Sequence, residues 1–309
     1  MKCAYHEGYA VPLSPGHPFP MSKYPLLRDR LLMEGLLSGT DTLEPEPLDV
    51  DTLSLAHARD YLDKLATSNL STNEQRRLGL PWSDALWRRS RLAASGTLLA
   101  ARVALAEGMA ANLAGGTHHA FADRGEGFCV LNDVAIAILR LRAEGLIRRA
   151  LVIDLDVHQG NGTAAIFSGD AAVYTFSMHG ERNYPAVKMR SSLDVGLVDG
   201  TGDADYLAAL GVHLPAVLEA AQADMAFYVA GVDVVDGDRY GKLALSEAGL
   251  AAREQLVVTA VRERGTPLVI VLGGGYAATR ERTADLHVHV FRAAVNYERR
   301  AAKPGCSFP

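Results

Sequence analysis

Asp154, Asp156 and His158 stand close together in the stretch LVIDLDVHQGNG, residues 151–162. A run this apolar reads as a strand buried on both faces, and burying carboxylates costs several kcal/mol unless something positive compensates. A cation would do so. At a strand end alternate side chains share a face, so Asp156 and His158 can reach one ion. Asp233, which closes another apolar run, completes an Asp/His/Asp set with positions left open for water and substrate, as hydrolytic zinc sites require. Iron(II) takes the same nitrogen and oxygen ligands.

His118 and His119 are adjacent and follow Gly115, Gly116 and Thr117. Neighbouring side chains diverge, so the pair is expected to divide two roles: one imidazole takes a proton and the other holds charge or position. Tyr276 follows three glycines, from which a phenol aimed into a crevice can donate to a developing oxyanion. Gly127 and Phe128, just after the histidine pair, suggest an apolar channel wall. His6, His17, His57, His213, His287 and His289 read as satisfied core or surface residues, His179 is left open, and Cys129 reads as a small buried residue without an activating partner.

The elements that must position these groups alternate along the chain. Helical patterns run over about 88–107, 133–144, 205–223 and 246–264. Short apolar runs lie at 109–114, from 150, and at 171–179, 225–233 and 267–276. Such alternation indicates an α/β fold, a single open, mostly parallel sheet with helices on both faces, over one domain spanning 1–309. Ligand sites in open α/β sheets lie beyond the carboxyl ends of the strands, and there the polar residues gather. Residues 39–50 and 67–84 read as surface loops.

Composition narrows the function. Hydrophobic residues at 49% and charged residues at 22% fit an ordinary globular core. The net charge of −5 comes from interspersed acids and bases, and the basic clusters (Arg76, Arg77; Arg88, Arg89, Arg91; Arg299, Arg300) are short and lack interleaved aromatics. They read as solvated helix faces, with no nucleic-acid groove. Three scattered cysteines, Cys3, Cys129 and Cys306, indicate a reducing compartment. With no signal pattern and no long apolar stretch, a cytoplasmic protein without membrane association is expected.

Four ordered stretches, GGTHHAFADRGEGFCVLND, VIDLDVHQGNGT, AGVDVVDGDRYGKLALS and LGGGY, resemble the motifs of the zinc-dependent histone deacetylase family, within the arginase and deacetylase superfamily. The resemblance runs from about residue 4 to 295. HQGNG and GDRYGKLALS are most similar to the class IV subgroup and its bacterial relatives. It implies a mononuclear zinc site of Asp156, His158 and Asp233, with Tyr276 as oxyanion donor and His118 and His119 as the catalytic pair. It further implies that Asp154 orients His118, that K+ or Na+ binds near Asp154 and Ser177, and that Gly127, Phe128 and Tyr184 line an acyl tunnel, with Gly274 and Gly275 beside the substrate.

The class I pattern has an acid behind the second histidine where this chain has Asn161. A neutral amide does not favour an imidazolium, so His118 is expected to be held as the cation and His119 to rest neutral as general base. The class I rim aspartate has no match around 80–84. The activity implied is removal of an acyl group from an amine: acyl-lysine first, an acetylpolyamine or other small acylated amine as the alternative. A binuclear ureohydrolase would want acids at Gly160 and Val235. A non-catalytic metal or acyl-amine binding module would need neither His119 nor Tyr276.

Overall fold

The structure, a computed structural model, describes residues 1–302; Cys306 lies outside the described residues. Eight strands form one sheet: β1 (Lys2–Ala4), β2 (Thr42–Leu43), β3 (Met109–Asn112), β4 (Ala150–Asp154), β5 (Val173–Gly180), β6 (Leu193–Leu197), β7 (Met225–Val229) and β8 (Leu268–Val271). Their order is β2-β1-β3-β8-β7-β4-β5-β6, and every pairing is parallel. The central strands β3, β4, β7 and β8 are buried at every position, which is why they read as continuous apolar runs rather than alternating ones.

Among the described residues ten α-helices accompany the sheet: α1 (Lys23–Met33), α2 (Val50–Leu53), α3 (Arg59–Ala66), α4 (Thr72–Leu78), α5 (Asp84–Glu107), α6 (Asp133–Ala143), α7 (Asn161–Ile166), α8 (Asp203–Ala221), α9 (Glu247–Glu263) and α10 (Arg280–Ala301). α5 packs with α6 in one layer, while α1, α10, α9 and α8 pack in succession in the other. Their starts are set by side-chain caps: Ser83 accepts from Leu86 N, Asn132 from Ala135 N, Ser246 from Gly249 N and Thr279 from Arg282 N.

The expected α/β architecture is present, with three local corrections. The stretch 67–84 is not all loop: it holds α4, closed by a Ser71–Glu74 capping box and by Gly79 at φ +73°. The stretch 39–50 contains a 3₁₀ turn at Gly39–Asp41 and the edge strand β2. The apolar runs overshoot their strands. β4 ends at Asp154 and β7 at Val229, so Asp156, His158 and Asp233 lie in the turns beyond. Apolar residues in those turns, such as Leu155, Val157 and Val232, are buried under the site and mimic strand.

Candidate active site

The turns after β3, β4, β7 and β8 converge at one end of the sheet. Asp156, His158 and Asp233 are buried there, and one ligand atom from each lies within 4.8 Å of the others. Because two of these residues stand beyond β4, backbone amides rather than the strand pleat bring them together. His158 N donates to Asp156 Oδ1 at 2.9 Å, Val157 N to Asp233 Oδ1 at 2.9 Å, and Gly274 N to Asp156 Oδ2 at 2.6 Å. A β-carbon on Gly274 would sit 2.1 Å from Asp233 Oδ2, so only glycine admits this approach.

The three residues suit a divalent cation. Asp233 Oδ2 is buried and receives no hydrogen bond, although His158 Nδ1 is 3.2 Å away. Burial and the neighbouring Asp156 push the Asp233 carboxyl up. Against the cost of burial, Asp156 and Asp233 hold the His158 imidazole up to about 10. Two carboxylates and an imidazole that retain a proton so firmly form a seat for positive charge, which a metal ion supplies in the proton's place.

His118 and His119 stand beside this seat on the turn after β3. Asp133, at the start of α6, fixes that turn by accepting from Gly116 N at 3.1 Å and Thr117 N at 2.8 Å. His118 Nδ1 donates to Asp154 Oδ2 at 2.7 Å. Burial opposes its cation, but Asp154 and Asp156 outweigh that and raise it to about 9. His119 sits well below its ordinary value, because it is buried and lies near His118 and His158.

His119 Nδ1 lies 2.7 Å from Asn161 Oδ1, and Asn161 Nδ2 donates to Glu126 Oε1 at 3.1 Å. A carboxylate only accepts, so Asn161 must turn its NH2 to Glu126 and its carbonyl to His119. His119 therefore donates through Nδ1 and keeps the Nε2 lone pair. The Tyr184 hydroxyl also donates to Glu126. Glu126 is not evident from the sequence, where it falls inside RGEGFC with only the glycine and phenylalanine after it drawing notice.

A cavity of about 330 Å³ opens onto these groups. His119, His158, Phe128, Tyr184, Tyr240 and Tyr276 are in its wall, with Gly127 between them. The Phe128 ring centroid lies 5.4 Å from Phe19 and 6.1 Å from Tyr276, and Tyr240 packs edge-on against Tyr276 at 4.9 Å. Phe19 and Tyr240 are thus aromatic members of the site that single-residue reading passes over. Tyr276 is placed by Asp238, whose Oδ2 accepts from Tyr276 N at 2.6 Å, so Asp238 is another unanticipated residue. Phe128 has φ +67°, an uncommon conformation for a bulky residue, and its ring packs against Gly79 at the end of α4.

Gly275 and His287 sit differently from what was expected of them. Gly275 faces Val232, Thr283 and His287 and lines neither this cavity nor the smaller one of about 30 Å³ beneath it, whereas Gly274 lines the smaller one. His287 is buried, and among the described residues neither of its ring nitrogens has a hydrogen-bond partner. Burial, with Lys23 and Arg253 nearby, keeps it neutral. His57 is the satisfied core histidine expected: Nδ1 donates to Phe121 O at 2.9 Å and Nε2 accepts from Asn132 N at 2.9 Å. Ser177 and His179 are joined at 2.9 Å beneath the site, where Ser177 pairs in register with Asp154. Lys23, also unanticipated, is buried and donates to Gly273 O at 2.7 Å.

The sequence profile of the histone deacetylase domain matches residues 17–292. The chain belongs to the histone deacetylase family. It is 46% identical over 290 residues to an uncharacterized protein of Picosynechococcus sp., covering 94% of this chain and 97% of that one. It is 33% identical over 279 residues to histone deacetylase 2 of Arabidopsis thaliana, covering 86% and 71%, and 32% identical over 250 residues to a probable deacetylase of Methanothermobacter thermautotrophicus, covering 76% and 73%. The fold matches the crystal structure of the HDA15 HD domain with a TM-score of 0.80 at 22% identity, covering 97% of this chain and 92% of that one. As a family member the protein is a deacetylase-type hydrolase acting on amide bonds, and its buried Asp/His/Asp group is able to hold a metal ion.

Proposed function

We propose that the protein is a zinc-dependent acyl-lysine deacylase of the class IV type, with one catalytic domain over residues 1–309. The observation that carries this reading is the convergence of a buried Asp156/His158/Asp233 seat with two differently partnered histidines at the floor of an aromatic cavity. When bound to those three residues, zinc supplies polarisation of the amide carbonyl and activation of water. Iron(II) fits the same ligands.

The chain's own groups then divide the work. Phe128, Tyr184 and Tyr276 enclose the substrate's alkyl chain and exclude water. His119, neutral and with Nε2 free, accepts a proton from the attacking water, and later delivers it to the leaving nitrogen as the C–N bond breaks. His118, held as a cation by Asp154, keeps positive charge beside the reacting carbon throughout. The Tyr276 hydroxyl donates to the carbonyl oxygen as negative charge grows on it. One amide and one water give one carboxylate and one amine.

A monovalent cation, K+ or Na+, near Asp154 and Ser177 belongs to the same reading, which the register pairing of those residues supports. So does a reducing, cytoplasmic setting, supported by the free, buried Cys3 and Cys129. The test is turnover of an acyl-lysine series of increasing chain length and of acetylpolyamines by zinc-loaded protein, beside Tyr276→Phe. Acyl-lysine hydrolysis lost by roughly 10²-fold or more in the variant, with zinc content unchanged, is expected. Turnover of polyamines alone would overturn the acyl-lysine assignment. A zinc-loaded protein inert toward every amide would favour a binding module.

A further inference from the structure

The cavity mouth carries a charge pattern that the chemistry of the floor does not require. Arg76 and Arg77, expected to be a solvated helix face, both line the catalytic cavity, and no Asp or Glu among the described residues shares that lining. The acids at hand are engaged elsewhere: Glu74 by Lys64 at 2.8 Å and Glu126 by Arg124 at 3.5 Å. Neither Arg76 nor Arg77 has a carboxylate partner among the described residues. A third arginine, Arg239, is exposed beside Tyr240, with its guanidinium over that ring at 5.5 Å.

These arginines are held in register with the substrate tunnel. They occupy the last turn of α4, whose carbonyls are tied to the tunnel wall: Gly127 N donates to Arg77 O at 3.2 Å and Phe128 N to Leu78 O at 2.8 Å. His17 Nε2 lies 3.1 Å from Gly79 O, anchoring the end of the helix from the other side. Basic residues suit any helix C-terminus. That preference accounts for their charge but not for their place at the opening through which a substrate reaches His119.

Resting on the deacylase reading above, we propose that Arg76 and Arg77 form a carboxylate-recognition site, so that the favoured substrate is an acylated amine bearing a negative charge close to the amine-bearing chain. A guanidinium binds a carboxylate through two parallel hydrogen bonds, and here the acid has no intramolecular rival. The same pair of cations repels the ammonium groups of an acylated polyamine. The negative charge comes either from a free α-carboxylate on the acyl-lysine itself or from an acidic neighbour in a peptide.

The test uses Nα-benzoyl-Nε-acetyl-lysine and its α-carboxamide, which differ by one charge, together with end-capped acetyl-lysine peptides having Asp or Asn next to the lysine. Steady-state kinetics and calorimetric binding are measured with the zinc-loaded wild type, Arg76→Ala/Arg77→Ala and Arg76→Glu/Arg77→Glu. The wild type is expected to favour the charged member of a pair by about tenfold in kcat/KM, expressed in KM rather than kcat and weakened by salt. That ratio falls to near one in the double alanine variant and inverts in the double glutamate variant. Preference in the free-acid pair assigns the α-carboxylate as source; preference in the Asp/Asn pair assigns the acidic neighbour. A wild-type ratio near one in both pairs, or a ratio that survives charge reversal, overturns the proposal. If nothing is hydrolysed yet calorimetry retains the arginine-dependent preference, the carboxylate site stands and the deacylase reading falls.

Discussion

The His119 tautomer is fixed by the Asn161–Glu126 chain behind its Nδ1. Glu126 accepts from Asn161 and from Tyr184, which compels the Asn161 carbonyl toward His119 Nδ1 and leaves Nε2 with its lone pair. The acid that the class I pattern puts directly behind this histidine is thus one residue further out, where it orients without protonating. Glu126→Leu should release the Asn161 amide to rotate and present NH2 to the imidazole. We expect kcat to fall by about tenfold with KM and metal content little changed. Nitrogen NMR of labelled histidine should show mixed His119 tautomers in the variant and a single Nδ1–H tautomer in the wild type. A single tautomer in both, or unaltered kcat, would contradict this role for Glu126.

The glycine turn after β8 seats the carboxylates. Gly274 gives its amide to Asp156 and passes so near Asp233 that a methyl group would collide with Oδ2. Gly274→Ala should therefore lose divalent metal, with a stoichiometry well below one per chain after dialysis, while β8, buried and paired on both sides, keeps the fold. Gly211→Ala on α8, where a β-carbon meets nothing, should retain the metal. What can be read in the sequence follows from the same physics. Strand ends, ligands and the histidine pair are legible because a buried apolar run that stops at Asp, His and Gly is costly to fold without an ion or substrate to meet it. The helix α4 escapes because its seven residues, TNEQRRL, bury only Leu78 and show no amphipathic period. Glu126, Asp238 and the place of Arg76 and Arg77 escape because their roles depend on contacts between segments distant in the chain, which spacing cannot encode.

The buried, neutral His57 contributes to the way stability responds to acid. Burial lowers His57 to about 4, and its two hydrogen bonds are those of the neutral ring. Unfolded chains take up this proton near pH 6.5 while the native state refuses it until about 4, so stability present above 6.5 is lost as pH falls across that window. The loss from His57 alone is on the order of 3 kcal/mol. Chemical denaturation at intervals from pH 7 to 4 should show a shallower decline for His57→Gln than for the wild type, although the variant starts lower. Equal slopes would mean that His57 is not kept neutral. The order of the sheet has a separate bearing on how the protein is made. Its two flanks, β2-β1-β3 and β4-β5-β6, are joined through β8 and β7, the last strands among the described residues. A ribosome that has yet to release β7 has therefore produced two unjoined sheets with raw inner edges and a metal seat still missing Asp233. Any cell making this enzyme must shelter that interval, and the three-residue seat is complete only once β7 and Asp233 have emerged.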